Sequence, residues 1–147
     1  MESSTEYPRV IRGAGYAIGD LEALGDGPGF RKVRKGLEVT AFGVNAVVMP
    51  AGIETGFHAH DQQEELYFVH RGTLEMEFGD GSRQRLAAGT FARVDASTMR
   101  KLRNVGTDDA VYVCVGGKDG YVGRDGRLPE EDSEPRARQI DSSGERG

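Results

Sequence analysis

Residues 73–78 (TLEMEF) alternate polar and apolar at every step. Successive side chains of a strand point to opposite faces, so this segment predicts a strand with one wet and one buried face. Residues 65–70 (ELYFVH) and 110–115 (AVYVCV) are apolar on both faces, which predicts central strands. Residues 37–49, rich in Val with Thr and Phe, predict one long strand or two, and residues 91–94 and 100–104 predict shorter ones. Between these runs sit turn signals. Asp80 and Gly81 follow Phe78 and suit a tight hairpin, and residues 106–109 (GTDD) serve the same purpose later. Short strands separated by glycine-rich turns predict an all-β sandwich or barrel. The one helical signal is residues 20–24 (DLEAL), with Asp20 as N-cap and Gly25 as stop, a turn or two at most.

At 147 residues the chain is long enough for one domain with its own core. A net charge of −5 argues against general nucleic-acid binding. The basic stretch at residues 31–35 (RKVRK) comes without aromatic stacking partners and predicts a solvated strand face. The single cysteine, Cys114, excludes an internal disulfide and sits in an apolar run, as inert packing does. No stretch has the apolar length of a bilayer span, and the N-terminus lacks a secretory signal, so the expectation is a cytoplasmic protein without membrane or nucleic-acid partners. From about Asp125 the composition changes. The last 23 residues carry seven acidic and four basic groups, two prolines and almost nothing to bury, which predicts a flexible tail. The glycine-rich residues 25–29 (GDGPG) lack the following Lys-Ser/Thr of a phosphate loop.

The candidate chemistry lies between Gly52 and Gly72. His58 and His60, two apart, share a face if extended, and Glu65 follows five residues on. A lone His-x-His is weak evidence for a metal, but its frame is specific. Five residues separate Gly52 from His58, four separate His60 from Glu65, and six separate Glu65 from Gly72. This resembles the first motif of the cupin superfamily, G-x5-H-x-H-x3,4-E-x6-G, with every fixed position filled. The second motif, G-x5-P-x-G-x2-H-x3-N, is matched at Gly89 and Asn104 only. Asp95, Ser97 and Arg100 stand at its Pro, Gly and His positions. The resemblance implies a double-stranded β-helix, a jelly-roll barrel over residues 37–118. Residues 1–36 would form an arm with short strands packed on it, and residues 119–147 an extension that is flexible from about 125. It also implies motif residues in the barrel mouth, a divalent metal (Fe, Mn, Zn, Ni or Cu) in many members, and frequent homodimers through an outer sheet face. It does not name a reaction.

Arg100 decides how this applies. A guanidinium stays protonated and offers no lone pair, so it cannot replace the missing imidazole. At about 4 Å and an effective dielectric near 20, each unit-charge pair is worth on the order of 4 kcal/mol, so it also opposes a neighbouring dication. Two arrangements follow. In one, His58, His60 and Glu65 hold the metal as a triad with open positions, and Arg100 turns aside or binds an anionic substrate, giving a metal-dependent enzyme of dioxygenase, isomerase or lyase type. In the other, no metal binds, Arg100 pairs with Glu65, and the histidines serve a small-molecule-binding or sensory pocket. Tyr67, on the face of Glu65, and Gln63, in the loop before it, are the further substrate-binding candidates. Glu64 competes with Glu65, though the six-residue step to Gly72 favours Glu65. His70 has the opposite parity and should face away. Arg93 and Asp95 read as rim residues.

Overall fold

The computed structural model describes residues 6–129. Its strands are β1 (Ile11–Gly13), β2 (Tyr16–Ile18), β3 (Gly29–Arg31), β4 (Gly43–Met49), β5 (Ala59–His60), β6 (Glu64–Arg71), β7 (Thr73–Phe78), β8 (Arg83–Ala87), β9 (Phe91–Val94), β10 (Arg100–Asn104), β11 (Ala110–Gly117) and β12 (Gly126–Arg127). One short helix, α1 (Val33–Leu37), interrupts them. A five-stranded sheet in the order β3-β4-β11-β6-β9 faces a three-stranded sheet in the order β10-β7-β8, and every pairing is antiparallel. The hairpin β1-β2 and the short pair β12-β5 complete the set.

The core lies between the two larger sheets. The alternation in β7 turns Leu74 and Met76 inward, where they meet Val47 and Met49 of β4, Tyr67 and Val69 of β6, Leu102 of β10 and Tyr112 and Cys114 of β11. Burying each large aliphatic side chain contributes roughly 1.5–3 kcal/mol. The predicted strands at residues 73–78, 91–94 and 100–104 match β7, β9 and β10, and β11 and β6 occupy the third and fourth places of the large sheet. Gly72 makes the sharp turn from β6 to β7 at φ +86, where a Cβ would also lie 2.9 Å from Ala110. Gly81 allows the β7–β8 hairpin at φ +89, and Asp80 Oδ1 accepts from Ser82 N at 2.9 Å. At the helical signal, Asp20 Oδ1 accepts from Ala23 N at 2.9 Å and starts a single 3-10 turn at Glu22–Leu24.

Several expectations are corrected. Residues 37–49 form neither one long strand nor two: Leu37 ends α1, Glu38 caps it at φ 61, and the single strand β4 begins only at Gly43. Residues 31–35 are not a solvated strand face. Arg31 is buried and donates to the carbonyls of Leu21, Gly25 and Gly27 at 3.2, 2.6 and 2.7 Å, holding that loop together. Val33 and Leu37 then share a helical face, and both line an outer cavity with Val44 and Ala46 of the large sheet. The outer face of β6 is more open than its composition suggests, with Leu66 41% exposed. The strand β8 escapes sequence reading because only Leu86 of its five residues is buried. No helix among the described residues is long and apolar enough to cross a membrane.

The flexible tail was expected to start at about residue 125, but Gly126 and Arg127 pair with His60 and Ala59 as β12. Asp61 N donates to Asp125 O at 3.1 Å, and Arg127 pairs with Asp61. The chain after β11 therefore returns across the end of the barrel. The rest of that expectation, from residue 130, lies outside the described residues.

Candidate functional site

His58 and Arg100 face each other across the barrel end. Each donates its backbone N–H to the other's carbonyl at 2.9 Å, a bridge that sets both side chains on one face. His60 lies two residues on in β5. Glu65 and Tyr67, also two apart, point inward from β6 by the same alternation. Gln63 precedes β6 and is fully buried. The six residues singled out from sequence thus come together, and none is more than 9% exposed.

Their contacts centre on Glu65. Its Oε1 accepts from the Tyr67 hydroxyl at 2.6 Å and from Arg100 Nη2 at 2.8 Å, and His60 Nε2 lies 3.3 Å away. Arg100 Nε donates to the Tyr67 oxygen at 3.3 Å. Its Nη1 donates to the carbonyls of Asp95, Ala96 and Thr98 at 3.3, 3.3 and 2.6 Å, so the guanidinium also fixes the turn before β10. Both Arg100 and Glu65 side chains are 0% exposed. Arg100 therefore points inward and pairs with Glu65, the contact that the second of the two arrangements expects.

The histidines are held from behind. His58 Nδ1 lies 3.1 Å from the Gly56 carbonyl, which can only accept, so the proton is on Nδ1 and Nε2 is the acceptor. His60 Nδ1 lies 2.8 Å from Asp125 Oδ1. The same carboxylate accepts from Gln63 Nε2 at 2.6 Å and from the backbone N–H of Gln62 and Gln63 at 2.7 and 3.2 Å. Asp125 is the site residue that sequence reading missed, because it opens a segment whose composition reads as a tail. Its flanking Gly123 and Gly126, just after the apolar Tyr121 and Val122, were the available signal of a returning chain.

Environment drives the two imidazoles apart. Burial lowers the His58 value below the usual 6.5, with Arg100 adding to that and Glu65 opposing it. Burial acts the same way on His60, but the hydrogen bond and charge of Glu65, with help from Asp125, outweigh it and raise the value. Burial would raise the Glu65 value too, but His60 and Arg100 hold it well below the ordinary carboxylate range. Tyr67 is pushed well above 10 by burial and by Glu65, so it stays a donor.

The other candidates fall outside the cluster. Glu64 faces solvent and pairs with Arg93 at 3.2 Å, and Arg93 also pairs with Asp95. His70 is exposed on the outer face, as its parity requires.

His58, His60 and Glu65 are three buried groups whose donor atoms lie within 4.8 Å of one another, so they could hold a metal ion. The donor set suits one, and carbonyl or carboxylate support behind each Nδ1 is what metal-binding histidines usually have. The neighbouring charge opposes one, since the fully buried Arg100 guanidinium lies 2.8 Å from Glu65.

A family profile described as "Cupin domain" matches residues 45–116. A search of curated proteins finds no match. Among solved structures, the chain resembles an uncharacterized conserved protein with a double-stranded beta-helix domain from Klebsiella pneumoniae, at 23% identity and a TM-score of 0.64, covering 77% of this chain and 96% of that one. It also resembles a sugar phosphate isomerase from a cupin superfamily of Silicibacter pomeroyi, at 25% identity and a TM-score of 0.57, covering 69% and 66%. A third is the DMSP lyase DddQ from Ruegeria pomeroyi, at 22% identity and a TM-score of 0.54, covering 64% and 46%. The chain spans between 43% and 65% of three other structures it resembles. The matched profile, the antiparallel barrel and the motif residues gathered at its mouth establish that this chain belongs to the cupin superfamily.

Proposed function

We propose that the protein is a metal-free, small-molecule-binding cupin whose central cation is Arg100. The observation that carries this reading is the 2.8 Å contact of Arg100 Nη2 with Glu65 Oε1, both fully buried. It satisfies the acid and occupies the corner where the family's fourth ligand would stand. Arg100 is then a structural cation and not the anchor of an anionic substrate, since its bonds run to Glu65, Tyr67 and three carbonyls of the preceding turn. The imidazoles of His58 and His60, whose rings meet edge to face at 5.4 Å, line the same mouth. His58 Nε2 is the acceptor of the pair, while both nitrogens of His60 face carboxylates, Asp125 on Nδ1 and Glu65 on Nε2. Such a pair also suits proton transfer, the elementary step of isomerase and lyase chemistry.

Metal analysis of untagged protein tests the reading. After incubation with Fe(II), Mn(II), Zn(II), Ni(II) or Cu(II), wild type should stay essentially metal-free, whereas Arg100→His, which adds a donor and removes a charge, should take up about one ion per chain. About one tightly held ion on wild type would refute it. That outcome would support a second reading, a divalent metal on His58, His60 and Glu65, which the support behind both Nδ1 atoms favours.

A further inference from the structure

We propose that the seat filled by Asp125 is the anion subsite of the mouth, built for a small molecule bearing a carboxylate that displaces the strap carrying Asp125. The proposal rests on the reading that the mouth binds a small molecule. Four donors converge on this carboxylate, two for each oxygen. Oδ1 faces Gln63 Nε2 at 2.6 Å and His60 Nδ1 at 2.8 Å. Oδ2 accepts from the N–H of Gln62 at 2.7 Å and of Gln63 at 3.2 Å. Two donors per oxygen on a two-oxygen group match a carboxylate better than a tetrahedral phosphate.

What distinguishes this seat is how its occupant is held. The partners of Arg100 sit on β6 and on the turn into β10, within the barrel wall. Asp125 arrives on a strap with glycines at 117, 120, 123 and 126. Besides the Asp125 carboxylate, the strap is fastened by the two-residue pairing of β12 with β5, by the Asp61 N–H bond to the Asp125 carbonyl, by a long Gln63 Nε2 bond to the Gly123 carbonyl at 3.4 Å, by an exposed Arg127–Asp61 pair, and by Arg34 stacked over Tyr121 at 4.4 Å. Two-residue pairings and exposed ion pairs contribute little, so this segment belongs to the part of the fold that opens most readily. Beneath it His60, Gln63 and Glu65 are sealed from solvent. An incoming carboxylate can take over all four donors of Asp125 and leave the barrel wall unchanged.

Carboxylate rescue tests this. Asp125→Ala should lower the melting temperature by about 5 °C, and acetate or a larger carboxylate at tens of millimolar should restore most of the loss. Chloride, acetamide and phosphate at matched ionic strength should not. Wild-type amide exchange gives a readout that does not depend on the variant's folding. A carboxylate that displaces the strap should speed exchange at Asp61, whose acceptor is the Asp125 carbonyl, and leave Gln62 and Gln63 protected. Absence of rescue in a folded Asp125→Ala, or unchanged Asp61 exchange at saturating carboxylate, overturns the proposal, as does equal rescue by phosphate. Metal content of the same samples reports on the metal-free reading separately, so the two can fail independently.

Discussion

Replacing Arg100 by methionine removes a charge of similar length from the centre of the barrel. At 2.8 Å and an effective dielectric near 20, its attraction to Glu65 is about 6 kcal/mol. Most of that offsets the desolvation of two fully buried ions, so the pair's net contribution is small. Removing one partner is different. Glu65 stays buried with its negative charge, without its guanidinium partner, and the carbonyls of Asp95, Ala96 and Thr98 lose a common donor. Arg100→Met should therefore cost about 3–5 kcal/mol, a large part of the stability of a domain this size. Glu65→Gln in the same chain removes the stranded charge, and the double variant should recover at least about 2 kcal/mol of the loss. Urea denaturation followed by far-ultraviolet circular dichroism measures all four corners of the cycle, as the chain has no tryptophan. A cost below about 1 kcal/mol for Arg100→Met, or additive single effects, would refute the buried pair.

Three further outcomes are expected. Imidazole NMR should find His60 titrating above and His58 below the ordinary 6.5, so that at pH 6.5 His60 carries more of the second proton than His58 does. The raised His60 value stabilises the fold fully below its unfolded value near 6.5 and is lost as pH rises through the folded value, while the lowered His58 value opposes folding as pH falls below 6.5. Gly116→Ala places a Cβ 2.3 Å from Gln63 Oε1, and thermal melting should show a loss of about 1–3 kcal/mol. A chain ending at Leu128 should melt with the full-length protein, whereas one ending at Gly117 loses β12 and Asp125 and should melt about 10 °C lower.

Alternation made much of the barrel legible in advance. The two-residue period placed Leu74 and Met76 inward, put Glu65 and Tyr67 on one face, and sent His70 to the other. The resemblance to the second cupin motif placed Arg100 at the mouth, yet could not say whether the arginine meets a carboxylate or turns away, because its partners come from β6 and from the turn before β10. Asp125 was illegible for a related reason. Its bonds reach back more than sixty residues to His60 and Gln63, and the glycines around it, the one local sign of a return, are outweighed by the charged, proline-bearing composition that follows. At residues 31–35 the error was local: Arg31, the last residue of β3, looks solvated by type but spends its donors on three loop carbonyls.

The cation at the heart of this barrel is part of the polypeptide. An ion held by side chains comes and goes with its concentration, can be stripped by a chelator, and can be exchanged for the wrong element. A guanidinium on β10 is supplied at synthesis, in fixed stoichiometry and with a fixed charge. On the metal-free reading, the integrity of the mouth is uncoupled from the metal supply of its surroundings.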